Sequence, residues 1–339
     1  MIDAQQIGEV GRRFGIDEIK TTTAQPFEDA GARIKEQREA GLFLGSERWY
    51  RRDIDSFCDA RTVLPEARSI IAACQCYLTG EAPGTHTPGN PHGLIARYTW
   101  RNHYADLKER LTAFAAALRD EYTANSVVFS NGEIAEKPAA QRSGIGYYGK
   151  NCLIINRRFG SRIVLGEIIT DIEIAPDAPQ EPDCSQCTKC IDACPTGALV
   201  KPYVLDRRRC IQALTNWYGV LPGDIARAWG ARLYGCDDCQ DACPANRYVE
   251  TKPARTMIGY VGPSIPLNEI LSMSEDEYRK KYARNQITAR WVDFRAIQRN
   301  ALVALGNIRD PLTVPVLTKY VKNEDPVLAR TAQWSLDNF

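Results

Sequence analysis

Histidine is scarce in this chain, three of 339 residues. His86, His92 and His103 show no H-E-x-x-H spacing, which argues against a mononuclear catalytic metal held on one helix face. Long uncharged apolar runs are missing as well, and none approaches the roughly 18 residues a membrane span needs. The stretch MIDAQQIGEVGRRF lacks the apolar core of a secretory signal. The expected compartment is therefore the cytoplasm, with no membrane as partner. Net charge is nearly absent too, Lys+Arg 43 against Asp+Glu 42, so the total by itself points to no polyelectrolyte partner. With 44% hydrophobic residues the chain is no disordered polymer, and its length suits about two domains.

What the chain has in excess is cysteine, twelve in all. In a reducing compartment so many thiols read as metal ligands or catalytic groups before disulfides. Eight fall between residues 184 and 243. Cys184-x2-Cys187-x2-Cys190-x3-Cys194-Pro195 has the bacterial ferredoxin spacing for 4Fe-4S ligation, in which the fourth Cys serves the other cluster. A second run should then exist, and Cys236-x2-Cys239-x3-Cys243-Pro244 is that run short of one member. Cys210, after three arginines, supplies it. Crossing the ligands predicts one cluster on Cys184, Cys187, Cys190 and Cys243, and another on Cys194, Cys210, Cys236 and Cys239. Paired zinc sites, which also favour four Cys, and inert buried thiols are the alternatives. Two adjacent clusters imply electron transfer. Cys58, Cys74, Cys76 and Cys152 sit singly or in apolar runs and read as packing residues.

The rest of the chain places this block in an α+β frame. Residues 1–175 read as a mixed α/β domain: Leu107, Leu111, Phe114 and Leu118 recur at helical spacing, and Ser69 to Ala73 and Ser126 to Phe129 are strand-length apolar runs. A mixed sheet covered by helices is expected, with a β-hairpin joining Cys152–Ile155 to Ile163–Ile169 across Phe159-Gly160-Ser161. The Pro-rich acidic stretch Ile174 to Asp183 reads as a linker into a ferredoxin-like double-cluster domain, 176–255. From 256 to 339 the pattern turns helical, with Ala296 to Gly306 and helices near 312–321 and 326–337 suggesting a HEAT-like unit that caps the preceding domain. Ser143-Gly144-Ile145-Gly146-Tyr147-Tyr148-Gly149 contains a formal G-x-G-x-x-G. A helix is expected before it and a strand after it, the reverse of a dinucleotide loop.

Local charge is less even than the total. Eight basic residues (Arg279, Lys280, Lys281, Arg284, Arg290, Arg295, Arg299 and Arg309) face one acid, Asp293, between residues 279 and 309. Such a stretch reads either as a solvated helical face or, with Trp291 and Phe294 interleaved, as a phosphate-tracking surface.

Four stretches carry a resemblance: Leu64-Pro65-Glu66-Ala67-Arg68-Ser69-Ile70-Ile71; Ile95-Ala96-Arg97-Tyr98-Thr99-Trp100; Glu136-Lys137 through Gly144 to Asn151; and the cysteine block with Tyr234-Gly235-Cys236-Asp237-Asp238-Cys239-Gln240. In them the chain resembles the epoxyqueuosine reductase family nearly end to end; the cysteine block alone is also similar to reductive dehalogenases. The resemblance implies a monomeric enzyme with two 4Fe-4S clusters and cobalamin between the N-terminal domain and the clusters, without a histidine ligand to cobalt. Electrons from ferredoxin or flavodoxin would generate cob(I)alamin, which would open the epoxide of epoxyqueuosine at the tRNA wobble position. Loss of water would then leave queuosine. By the same resemblance Arg97, Ser130, Lys137, Ile154 and Leu165 would lie along the corrinoid.

Substrate-facing positions depart from the family pattern. Ser130 stands where the family carries an Asp as proton donor, His103-Tyr104-Ala105 where it has Asp-Tyr-His, and Asn216-Trp217-Tyr218 where it has Ile-Glu-His. A serine hydroxyl is a poor acid, so His103, Tyr104 or a bound water would take the donor role. These departures keep open a paralogue that reduces a small molecule, in the manner of a dehalogenase, and a non-catalytic electron carrier or reductive activator.

Overall fold

A computed structural model describes residues 2–45 and 53–339. Its N-terminal part is built on a four-stranded sheet in the order Glu18–Thr23, Ser69–Cys76, Ile163–Thr170, Ser126–Phe129. Every neighbouring pair runs antiparallel, so the sheet is not the mixed one expected. Ser69–Cys76 is central and buried along its whole length, which explains why it reads as a continuous apolar run rather than an alternating one.

One face of this sheet is covered by the helix His103–Tyr122. Asn102 caps it by accepting from the Ala105 amide at 3.1 Å, and it ends where Thr123 turns left-handed at φ 58°. Leu107, Leu111, Phe114 and Leu118 form its inner stripe, each 0% exposed, and each contributes about 1.5–3 kcal/mol by burial. The helix comes so close that a Cβ on Gly166 would sit 2.6 Å from Leu111 Cδ1; only glycine fits there.

The expected hairpin is absent. Ile154–Ile155 pairs with Tyr147–Tyr148, because both edges of Ile163–Thr170 are already taken by Ser69–Cys76 and Ser126–Phe129. The helix Glu136–Ser143 ends at Gly144, φ 83°, and runs directly into Tyr147–Tyr148. The glycine-rich segment thus follows a helix and precedes a strand, and opens no helix of its own. The Pro-rich stretch after Ile174 is coil, as its lack of apolar period requires, but it is fastened down rather than free. Asp177 accepts from Lys20 Nζ at 3.0 Å and from the Thr21 amide at 2.8 Å, and the Thr21 hydroxyl donates to the Ala175 carbonyl at 2.6 Å.

A three-stranded sheet knits distant parts of the chain together: His92–Ile95 in the middle, Arg232–Tyr234 parallel on one side and Ser264–Pro266 antiparallel on the other. Its core includes Ile95, Trp100, Leu233 and Tyr234 and continues into the C-terminal helices through Leu302, Leu305 and Leu317. Those helices, Phe294–Ile308, Val314–Val321 and Pro326–Asp337, pack on one another. Asp293 caps the first of them, accepting from the Arg295 amide at 2.9 Å.

Candidate iron–sulfur centre and cavity

The eight clustered cysteines sit on short turns and single-turn helices. The Cys187 amide donates to the Cys184 carbonyl at 2.9 Å, closing a turn with Ser185 at φ 39°. Lys150, from the glycine-rich segment, reaches over this turn and donates to the carbonyls of Ser185 at 2.6 Å and Cys187 at 3.0 Å. That segment therefore anchors the cysteine loop. Cys190 rides on the helix Lys189–Asp192, Cys210 stands at the N-cap of Ile211–Leu214, and Cys239 lies on Asp238–Asp241.

Electrostatic coupling among the thiols divides them into two neighbourhoods. Burial pushes the Cys190 thiol up to about 11, and the next influences on it are Cys243 and Cys184, with Cys187 weaker. Cys243 in turn feels Cys184 and Cys187. In the other neighbourhood burial raises Cys239 well above its ordinary value, followed by Cys210 and Cys236, with a weaker influence from Cys190 across the divide, and Cys210 also feels Cys194. Cys236 is pushed up to about 12 by burial although Arg232 opposes the shift. Thiols with this environment ionise when a metal centre compensates the charge. Among the described residues no three His, Cys, Asp or Glu side chains converge as a single metal ion requires; a cube holds its thiolates farther apart than one ion does.

The helix Asp238–Asp241 is bolted to the N-terminal part. The Arg97 amide donates to Asp237 at 2.8 Å, and its guanidinium to Asp241 at 2.9 Å. Arg162 pairs with the same two acids. The Gln240 side-chain carbonyl accepts from the Tyr77 hydroxyl at 2.9 Å and the Ser161 hydroxyl at 3.0 Å.

Beside this block lies a cavity of about 510 Å³. Lys137, Ile154 and Leu165 line it with Tyr104, Glu136 and Cys152, and Tyr203, Leu205 and Arg207 close it from the cysteine-bearing side. Lys137 Nζ donates to the Cys152 carbonyl at 2.9 Å. Burial lowers its pKa, with Cys152 opposing, and the lining residue Arg207 stands three positions before Cys210, which brings the second thiol neighbourhood close to the cavity. Other expected site residues lie elsewhere. Arg97 is in the seam just described, and Ser130 sits beside the cavity, next to the lining residue Asn131, with its hydroxyl donating to the Leu165 carbonyl at 2.8 Å. His103 is off the wall. It is 4% exposed, tilted against Tyr77 with ring centres 5.8 Å apart, and held down to about 4 by burial and by Arg101.

Two carboxyls escaped the sequence reading. Burial lifts Glu136 to about 8 even though the amides of Asn131 and Gly132 bond to it. Glu167 is 0% exposed, and both its oxygens lack a hydrogen-bond partner. The available signal was a lone acid inside the apolar run Ile163 to Ile169. Cys152, expected to be packing, lines the cavity instead; Cys58, Cys74 and Cys76 are buried.

The basic stretch is not one surface. Arg299 is 0% exposed and donates to the carbonyls of Leu214 at 2.8 Å, Trp217 at 2.8 Å and Gly219 at 2.9 Å. Phe294 is in the core, 5% exposed. Acids from outside the stretch neutralise several others: Arg279 meets Glu275 at 2.6 Å, Lys281 meets Glu269 at 2.7 Å and Arg284 meets Glu109 at 3.2 Å.

A thiol block that can seat two clusters, set against a cavity in an α+β domain, defines an iron–sulfur oxidoreductase. The comparisons agree. Residues 183–246 match the 4Fe-4S double cluster binding domain, and residues 58–130 match the family described as Epoxyqueuosine reductase QueG, DUF1730. The epoxyqueuosine reductase of Bacillus subtilis strain 168 is 35% identical over 348 residues, covering 98% of this chain and 86% of that protein. That of Escherichia coli K12 is 31% identical, covering 98% and 88%. A solved epoxyqueuosine reductase with an epoxyqueuosine-modified tRNA-Tyr stem loop superposes with a TM-score of 0.90 at 32% identity, covering 98% of this chain and 89% of that one. The chain belongs to the epoxyqueuosine reductase family.

Proposed function

We propose that the protein reduces epoxyqueuosine to queuosine at the wobble position of tRNA. The observation that carries this reading is the closeness of the cavity to Cys210, through the lining residues Leu205 and Arg207 just before it, in a chain that aligns with named epoxyqueuosine reductases over 98% of its length. One cluster would be held by Cys184, Cys187, Cys190 and Cys243, and the other by Cys194, Cys210, Cys236 and Cys239. The two thiol neighbourhoods support this crossing. Electrons from a ferredoxin or flavodoxin would enter at the first cluster and leave at the second, beside the cavity.

The cavity is the place for cobalamin, with apolar walls at Ile154 and Leu165 and a cation at Lys137 for the polar rim of the corrin. When bound, cobalamin supplies a strongly reducing cobalt centre that no protein side chain can replace. The chain's own residues do the rest: they exclude water from the cavity, orient the modified nucleoside and supply protons. Arg97 and Ser130 act at one remove, Arg97 by fixing the cluster helix and Ser130 by fixing the backbone at Leu165.

The same reading takes the protein as a cytoplasmic monomer of three segments, 1–175, 176–255 and 256–339, the last HEAT-like. Its test is nucleoside mass spectrometry of tRNA from cells lacking the gene. Accumulated epoxyqueuosine is the expected result, and unchanged queuosine overturns the reading. The absence of a carboxyl at Ser130 favours a second reading, reduction of a small molecule, which predicts the unchanged result.

A further inference from the structure

Reducing an epoxide to an alkene breaks two C–O bonds, forms one C–C π bond and releases the oxygen as water. The balance is two electrons and two protons per turnover. The electrons come from the ferredoxin- or flavodoxin-class donor, but the protons need an acid at the cavity. Ser130 is a poor acid for this step, since a serine hydroxyl holds its proton tightly and this one already donates to the Leu165 carbonyl. His103 is buried outside the cavity.

We propose that Glu136 is the proton donor of this chain, with Glu167 behind it as the second proton source. Glu136 opens the helix Glu136–Ser143 and is the carboxyl that this helix presents to the cavity. The Asn131 amide bonds to it and fixes its position at the rim. Glu167 shares a face of its strand with Ile163 and Leu165, two cavity-lining residues, by the alternation of side chains along a strand. It is fully buried with both oxygens unpartnered, and the charge that reaches it is that of Glu136. A buried carboxyl with no cation and no donor is held neutral, and so carries a proton. Two carboxyls that feel each other's charge also resist ionising together, which favours the protonated pair at neutral pH. The other titratable groups around Glu136 are Tyr104 from the covering helix, Lys137 beside it, and Asp29, Arg33, Tyr148, Cys152, Tyr203 and Arg207 elsewhere on the cavity wall.

This inference rests on the epoxide-reducing reading, and its test separates the two. Wild type and Glu136→Gln, both with full iron content, are assayed on an epoxyqueuosine stem loop across pH. Glu136→Gln should lower kcat about 100-fold or more, leave KM little changed and remove the fall in rate above about pH 8. A wild-type kcat with the same alkaline limb overturns the proposal. A second readout needs no cobalamin: infrared difference spectroscopy of the protein should show a protonated carboxyl at pH 7 that titrates near 8 and is lost in Glu136→Gln or moved in Glu136→Asp. Absence of that band in wild type overturns the proposal whatever the substrate, whereas a wild type that leaves the epoxide intact sinks the parent reading alone.

Discussion

Replacing Arg299 by Met tests the energetics of the C-terminal tie. The guanidinium donates to three backbone carbonyls, of Leu214, Trp217 and Gly219, and to Asn300 Oδ1 at 2.9 Å, all from a fully buried position. Burial pulls its pKa down to about 9 against the opposing influence of Tyr218. Methionine fills much of the volume but leaves the acceptors unpaired, at about 1–3 kcal/mol each. Relief from burying a charge offsets part of this, so the net loss should be roughly 3–5 kcal/mol, the low end of the sum over these neutral acceptors. At about 2 °C per kcal/mol for a chain of this size the apparent Tm falls by roughly 6–10 °C. Scanning calorimetry on the cluster-loaded protein at fixed scan rate reads it. Because Arg299 contacts no solvent, the salt dependence of tRNA binding stays the same as wild type. A Tm within about 1 °C of wild type, or a salt slope reduced by about one phosphate contact, would refute the reasoning.

Other substitutions probe separate parts of the account. Cys210→Ala should leave about four of about eight irons after reconstitution, counted by iron assay and EPR, and retention of both clusters contradicts the ligand crossing. Asp177→Ala removes the acceptor that holds Lys20 and Thr21 to the Pro-rich stretch after Ile174. It should cost about 1–2 kcal/mol, seen as faster amide exchange along Glu18–Thr23. Glu136 is raised from 4.5 to about 8 in the fold, so its contribution is present below pH 4.5 and is lost as pH rises through 8. Thermal scans should therefore show Glu136→Gln gaining on wild type across that window, by an amount on the order of 3–5 kcal/mol less whatever cavity water screens; parallel pH curves would contradict the shift.

Local patterns in the sequence were legible where one force dominates. The stripe from Leu107 to Leu118 and the buried run Ser69–Cys76 obey their periods because burial on one helix face or in a central strand leaves no other choice. The cysteine spacing likewise carries its own geometry. Pairing between distant segments was not legible. Ile163–Thr170 could have met Cys152–Ile155 by a short turn, but its edges were claimed by strands some 90 and 40 residues away in sequence. Charge was the least legible quantity. Arg299 and Arg295 look alike in sequence, yet one is a buried backbone donor and the other an exposed partner of Asp293 at 2.7 Å. Glu136 and Glu167 passed unnoticed for the same reason, since what sets a carboxyl's chemistry is its surroundings.

The central claim is that this chain deoxygenates epoxyqueuosine in tRNA. The most direct measurement incubates the purified protein, loaded with iron–sulfur clusters and cobalamin, with an epoxyqueuosine stem loop and a reducing donor, and follows the nucleosides by mass spectrometry. The account predicts loss of one oxygen and conversion to queuosine. A fully loaded protein that leaves epoxyqueuosine unchanged contradicts it.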